Sequence, residues 1–97
     1  MSTVQKFEDL EIWQLARVLN QKIYQFIICE PFASDFRLKD QMRRSSGSIM
    51  DNIAEGFERG SRPKLINSLA TVKGEIGELK SQLYRALDNH YLHRKKI

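Results

Sequence analysis

The residue types richest in possible chemistry lie in RRSSGSIMDNIAEGFERGSR, positions 43–62. Three glycines, four serines and four arginines in this stretch are the ingredients of a loop that cradles phosphate through backbone N–H groups. Such a loop needs irregular backbone between a strand and a helix, and no strand-like alternation precedes the segment. The spacing of Gly47, Gly56 and Gly60 fits neither G-x-G-x-x-G nor G-x-x-x-x-G-K-[ST]. Instead Leu38, Met42, Ser46, Ile49, Ile53 and Phe57 recur at intervals of 4, 4, 3, 4 and 4, the period of one helix face. The segment reads as a helix.

Its glycines then need a reason, since each costs about 1 kcal/mol relative to Ala in a helix interior. Gly56 falls at the edge of the apolar stripe, and Gly47 falls with Ala54 on a second, small-residue face. Small residues there would admit another helix closely. Gly60 marks the helix end instead.

Other catalytic chemistries find little material. Cys29 is the single cysteine, set in the apolar run IYQFIIC, and reads as a small core or interface residue. His90 and His93 are one helical turn apart without a supporting Cys or carboxylate cluster, so no metal site is expected. Glu55 is a lone carboxylate with no partner base. No enzyme, cofactor or small-molecule substrate is expected. Asn52 and Glu55 border the core stripe, where polar side chains fix helix register through hydrogen bonds.

The elements that position these groups follow from the apolar period. In 97 residues there is room for one domain, and so small a core is often helped by self-association. A first helix is expected over about 10–28, from Ile12, Leu15, Ala16, Leu19, Ile23, Phe26 and Ile27, with Trp13 and Tyr24 widening the stripe. Pro31 ends it, and Asp35 offers an N-cap for a second helix over about 36–59. Ser61 caps a third over about 62–91, with Pro63 in its first turn. There Leu65, Leu69, Val72, Ile76, Leu79 and Leu83 form a bundle seam, and Ile66, Ala70, Gly77, Tyr84 and Tyr91 a second apolar flank. The fold class is all-α, an antiparallel up-and-down bundle of three long helices. The start, MSTVQKFEDLEIW, lacks a signal-peptide pattern, and no long apolar run could span a membrane. The expectation is a cytoplasmic protein.

Net charge is +4, distributed as −1 over residues 1–30, +2 over 31–64 and +3 over 65–97. Asp40–Arg44, Glu55–Arg59 and Glu58–Arg62 have the i,i+4 spacing of ordinary solvated ion pairs. Arg43 projects toward the small-residue face, where it could reach a carboxylate or a phosphate. Arg59, Arg62 and Lys64 cluster at the second turn, and Arg94, Lys95 and Lys96 at the tail. An antiparallel hairpin puts these clusters at opposite ends, a poor single footprint for a monomer. In a symmetric assembly each would repeat as a belt able to hold a polyanion. Trp13, Tyr24, Tyr84 and Tyr91 lie on or beside apolar stripes and read as packing residues rather than base-stacking ones.

FEDLEIWQLARVL, QMRRSSGSIMDNIAEGFERGS and GEIGELKSQLYRAL together resemble the four-helix-bundle proteins encoded in intervening sequences of bacterial 23S ribosomal RNA. Gln41, Arg43, Arg44, Ser48, Ile49, Asn52, Ile53, Ala54, Glu55, Gly56 and Ser61 match that family's central pattern, and the resemblance covers about residues 7–92. It implies an antiparallel helical bundle that assembles as a homopentamer with a basic surface. It also implies kinship with the accessory bundle protein of diversity-generating retroelements, and no enzymatic activity. This chain departs from the pattern at Lys64, where a capping-box acid is usual. It also ends at HRKKI, where a fourth helix is expected to begin. Three helices alone would leave an apolar groove.

Two functions follow as expectations. One is a non-catalytic, self-assembling scaffold that binds RNA or a ribonucleoprotein through Arg43, Arg44, Arg59, Arg62, Lys64, Arg94, Lys95 and Lys96, with Gly47, Asn52, Glu55 and Gly56 serving the helix interfaces. The other is a protein-interaction module whose groove takes a partner helix, with no nucleic-acid role. A helix-turn-helix DNA reader fits the charge but not such long helices.

Overall fold

The computed structural model describes residues 4–92. Three long helices dominate it: α1 (Glu11–Ile27), α2 (Phe36–Glu58) and α3 (Arg62–Asp88). They run up, down and up in a rod of 45 × 21 × 19 Å. Among the described residues there is no strand. The chain is an all-α antiparallel bundle.

Each boundary has a local cause. A short 3₁₀ turn, Phe7–Asp9, precedes α1, and the Phe7 ring meets Trp13 edge-on with centroids 5.2 Å apart. The α1–α2 link holds a cis Glu30–Pro31 bond and a second 3₁₀ turn, Phe32–Ser34. Asp35 Oδ1 accepts the Leu38 amide at 3.1 Å, capping α2. Gly60, at φ +78°, closes α2 in the left-handed region open to glycine. Ser61 Oγ accepts the Lys64 amide at 3.4 Å and starts α3.

α3 stops at Asp88, short of Tyr91, where the apolar period alone would have carried it. The reason is a left-handed residue, His90 at φ 62°. The Tyr91 amide donates to the Ala86 carbonyl at 2.9 Å and the His90 amide to Leu87 at 3.0 Å. This is the paired bonding of a Schellman ending, made here without glycine.

α2 is the central element. It packs α1 on one side and α3 on the other, while α1 and α3 barely approach each other. Ile23 and Ile27 of α1, Leu38, Met42, Ile49 and Ile53 of α2, and Val72, Leu79 and Ala86 of α3 form the buried core. Phe32 and Leu92 close one end of it. Cys29, expected as a core or interface residue, lies outside the core of the chain and is exposed, because α1 has ended before it; its thiol donates to the Gln25 carbonyl at 3.3 Å. No helix among the described residues is long and apolar enough to cross a membrane.

Candidate nucleic-acid interface

The α2–α3 turn brings Arg59, Arg62 and Lys64 to one end of the rod, all solvent-exposed. Arg59 Nη2 lies 2.7 Å from Glu55 Oε1, an exposed i,i+4 pair that holds the guanidinium loosely. The expected Glu58–Arg62 pair is not made, because α2 ends at Glu58 and Arg62 opens the next helix. That break frees Arg62 from a helical partner and points the turn's charge outward. Arg94, Lys95 and Lys96 fall outside the described residues.

Arg44 is exposed and pairs with Asp40 at 2.7 Å. Arg43 is also exposed and rims an open groove between α1 and α2, beside Gly47, Ile23, Tyr24 and Ile28. Gly47 has nothing within 4 Å of where a Cβ would stand, so among the described residues no helix uses the close approach it permits. The small-residue face of α2 is open surface.

The seam between α2 and α3 is polar along one edge, which the apolar period did not reveal. Ser45, buried, donates to Glu78 Oε1 at 3.0 Å. Ser48 donates to Glu75. Asn52 Nδ2 reaches Ser48 Oγ at 3.0 Å and Glu75 Oε1 at 3.1 Å. Further along, Arg85 Nη1 donates to Gln41 Oε1 at 3.1 Å. These bonds tie given residues of α2 to given residues of α3, so they fix register. Asn52 therefore sits in the seam. Glu55 does not: it faces solvent and pairs with Arg59, one turn further along α2. Gly56 sits where α2 packs tightly against α3. A Cβ there would stand 2.5 Å from Ser68 Cβ and 2.6 Å from its Oγ.

At the far end, the Tyr91 hydroxyl donates to Asp35 Oδ2 at 3.0 Å, and its ring stacks on Phe32 with centroids 5.1 Å apart. The bond to the carboxylate, then burial and the nearby negative charge, raise the Tyr91 phenol above its ordinary 10.0. Trp13 is likewise half-buried against the core. Tyr24 and Tyr84 are both 55 % exposed, because the flanks that carry them face no helix among the described residues. Phe36 is more exposed still, at 73 %. Its position off the Leu38–Phe57 stripe agrees with that exposure.

Because α1 and α3 stay apart, a groove of about 430 Å³ runs between them over α2. Leu15, Leu19, Ile53, Leu69 and Ile76 are among its walls, and Lys73 is its one charged lining residue. Among the described residues, no three His, Cys, Asp or Glu side chains converge as a metal site would require.

A family model described as 23S rRNA-intervening sequence protein matches residues 8–97. Comparison with curated proteins and with solved structures finds no match. The matched span takes in α1, the capped α2 with its polar seam, the basic turn and α3. This chain belongs to the 23S rRNA-intervening sequence protein family.

Proposed function

We propose that the protein is a non-catalytic, self-assembling helical scaffold that binds RNA or a ribonucleoprotein in the cytoplasm. The observation that carries the reading is one chain bearing both outward cations and uncovered apolar flanks. Arg59, Arg62 and Lys64 face solvent at the turn, while Ile12, Leu15, Ile66, Ile76 and Tyr84 lie exposed along the rod. Exposed apolar patches of this kind mark contact surfaces. Self-association through them would repeat the turn cluster around an axis, so that modest single patches act together on one polyanion. The family's description, with its link to ribosomal RNA, agrees with that choice of partner. A homopentamer is the assembly we propose. Neither a cofactor nor a small-molecule substrate has a part in it.

Light scattering on a sizing column tests the assembly: a mass near five chains is expected, and a monomer at all concentrations would sink it. Replacing Arg59, Arg62 and Lys64 with Glu tests the RNA contact. Retention on immobilised RNA should be lost near physiological salt. The slope of log affinity against log salt should also flatten by about 2–3, one increment per lost phosphate contact. Retention and slope equal to the parent's would remove the turn from the interface.

The apolar groove favours a second reading, a module that seats a partner's helix without binding nucleic acid. It predicts a monomer with no RNA affinity and a helical peptide that binds over Leu15, Ile53 and Ile76.

A further inference from the structure

A second polar surface lies at the opposite end of α2 from the basic turn. There Phe36 occupies the first position of the helix with 73 % of its surface exposed. Its angle is about 140° from Ile49 at 100° per residue, so it faces away from the core. The ring lies outside the chain's buried core. It stands in an open depression lined by Arg37, Lys39, Asp40, Gln41 and Arg44. The Lys39 ammonium lies 5.6 Å from the ring centroid. Arg85 of α3 reaches the same wall through Gln41. Asp40 is matched by Arg44 at 2.7 Å, and Asp35, the other nearby carboxylate, is turned to the Tyr91 hydroxyl and the Leu38 amide. Arg37, Lys39 and Arg85 have no carboxylate within ion-pair reach among the described residues.

An aromatic face ringed by cations suits one ligand chemistry above others. The centre of a protein–protein contact is depleted in charge, and here the charge surrounds the ring closely. Duplex RNA keeps its bases stacked on one another and offers a side chain phosphates, hydroxyls and base edges but no open base face. An unpaired base offers a π-face to the ring while its flanking phosphates meet the arginines and lysine.

We infer that Phe36, with Arg37, Lys39 and Arg44 around it, is a stacking platform for an unpaired base of single-stranded RNA. The inference rests on the RNA-binding reading and assigns to it a site apart from the α2–α3 turn. The turn supplies charge that any RNA satisfies, whereas Phe36 distinguishes single strands from duplexes.

The experiment compares a short fluorescein-labelled oligouridine with a labelled RNA duplex of the same length, by anisotropy, on the full chain. Phe36→Leu keeps an apolar side chain at an exposed helical site and removes the ring. It should weaken oligouridine binding about tenfold, within the range found for loss of one stacked base, and leave the duplex unchanged. Arg37→Ala with Lys39→Ala should weaken both probes. Phe36→Trp should retain affinity and add a fluorescence signal that saturating oligouridine quenches, beyond any change shown by Trp13 in the parent. If the parent binds oligouridine but Phe36→Leu leaves that binding unchanged, or weakens both probes equally, the platform is overturned and the RNA reading stands. If the parent binds neither probe at low salt, the RNA reading itself fails.

Discussion

Phe32→Ala is expected to lower the free energy of unfolding by about 3–5 kcal/mol. Phe32 is fully buried, yet it belongs to the link between α1 and α2 rather than to a long helix. Its ring carries Tyr91, whose hydroxyl bonds the Asp35 carboxylate that also caps α2. One side chain thus holds the link, the start of α2 and the segment after α3 together. Truncation would leave a cavity and unseat Tyr91 as well. Phe32→Leu, which fills much of the space, should cost less than about 1.5 kcal/mol. Urea unfolding at one fixed protein concentration measures both, because assembly contributes to apparent stability. A Phe32→Ala loss below about 1 kcal/mol would show that this end is not part of the cooperative core. The Tyr91–Asp35 bond adds a pH dependence of definite sign. The folded phenol titrates above its ordinary 10.0, so its contribution is full below that value and is lost as pH rises through the folded one.

The second large effect is expected at Gly56. In an isolated helix, Gly→Ala would stabilise by about 1 kcal/mol. Here the added Cβ would stand 2.5 Å from Ser68 Cβ, closer than carbon atoms pack. The obstacle is a side-chain root, with no flexible end to swing aside, so α2 and α3 must separate. Overpacking of this kind costs about 1–3 kcal/mol, and separation would also stretch the Ser45–Glu78 and Asn52–Glu75 bonds. Gly56→Ala should therefore destabilise despite its better helix propensity. Adding Ser68→Gly removes the opposing atoms and should recover much of the loss, giving a clear coupling energy in a double-mutant cycle. Additive effects would mean that the two helices do not meet there. Gly47→Ala is the internal control: nothing lies near its Cβ position in a single chain, so only propensity should show, unless a neighbouring subunit uses the space.

The helices were legible in the sequence because their determinants are local. The 4-4-3-4-4 stripe of α2, Asp35 and Ser61 as caps, and Gly60 as terminator act within a turn or two of chain. The end of α3 was not, because His90 takes a left-handed conformation that usually announces itself with glycine. The polar seam was hidden for another reason. Ser45 and Glu78 are 33 residues apart, and Ser48 and Glu75 are 27 apart, so only the register of two packed helices pairs them. Asn52 and Glu55 both lie beside the apolar stripe, yet only Asn52 bonds across to α3. Glu55 lies at nearly the same helical angle as Ser48, but its carboxylate turns along α2 to Arg59, one turn on, instead of crossing to α3. Of the candidate RNA contacts, the turn cluster was visible as a run of charge. Phe36 lies off the Leu38–Phe57 stripe, but a single ring beside a cap has neither charge nor period to mark it as exposed surface.

The central place of α2 has a kinetic consequence. α1 is joined to the rest chiefly through one face of α2, and its start has no side-chain cap. The α2–α3 hairpin has a short capped turn and its own hydrogen-bonded seam. Local opening follows such differences in attachment. Amide hydrogens of α1 should thus exchange with solvent deuterium through a partial opening that leaves the hairpin protected, well before global unfolding exposes Ile49 and Leu79. While α1 is away, the apolar face of α2 that it normally covers becomes a transient surface. Any subunit or partner arriving then meets a wider cleft than the resting molecule offers, so association would be gated by the fraying of one helix.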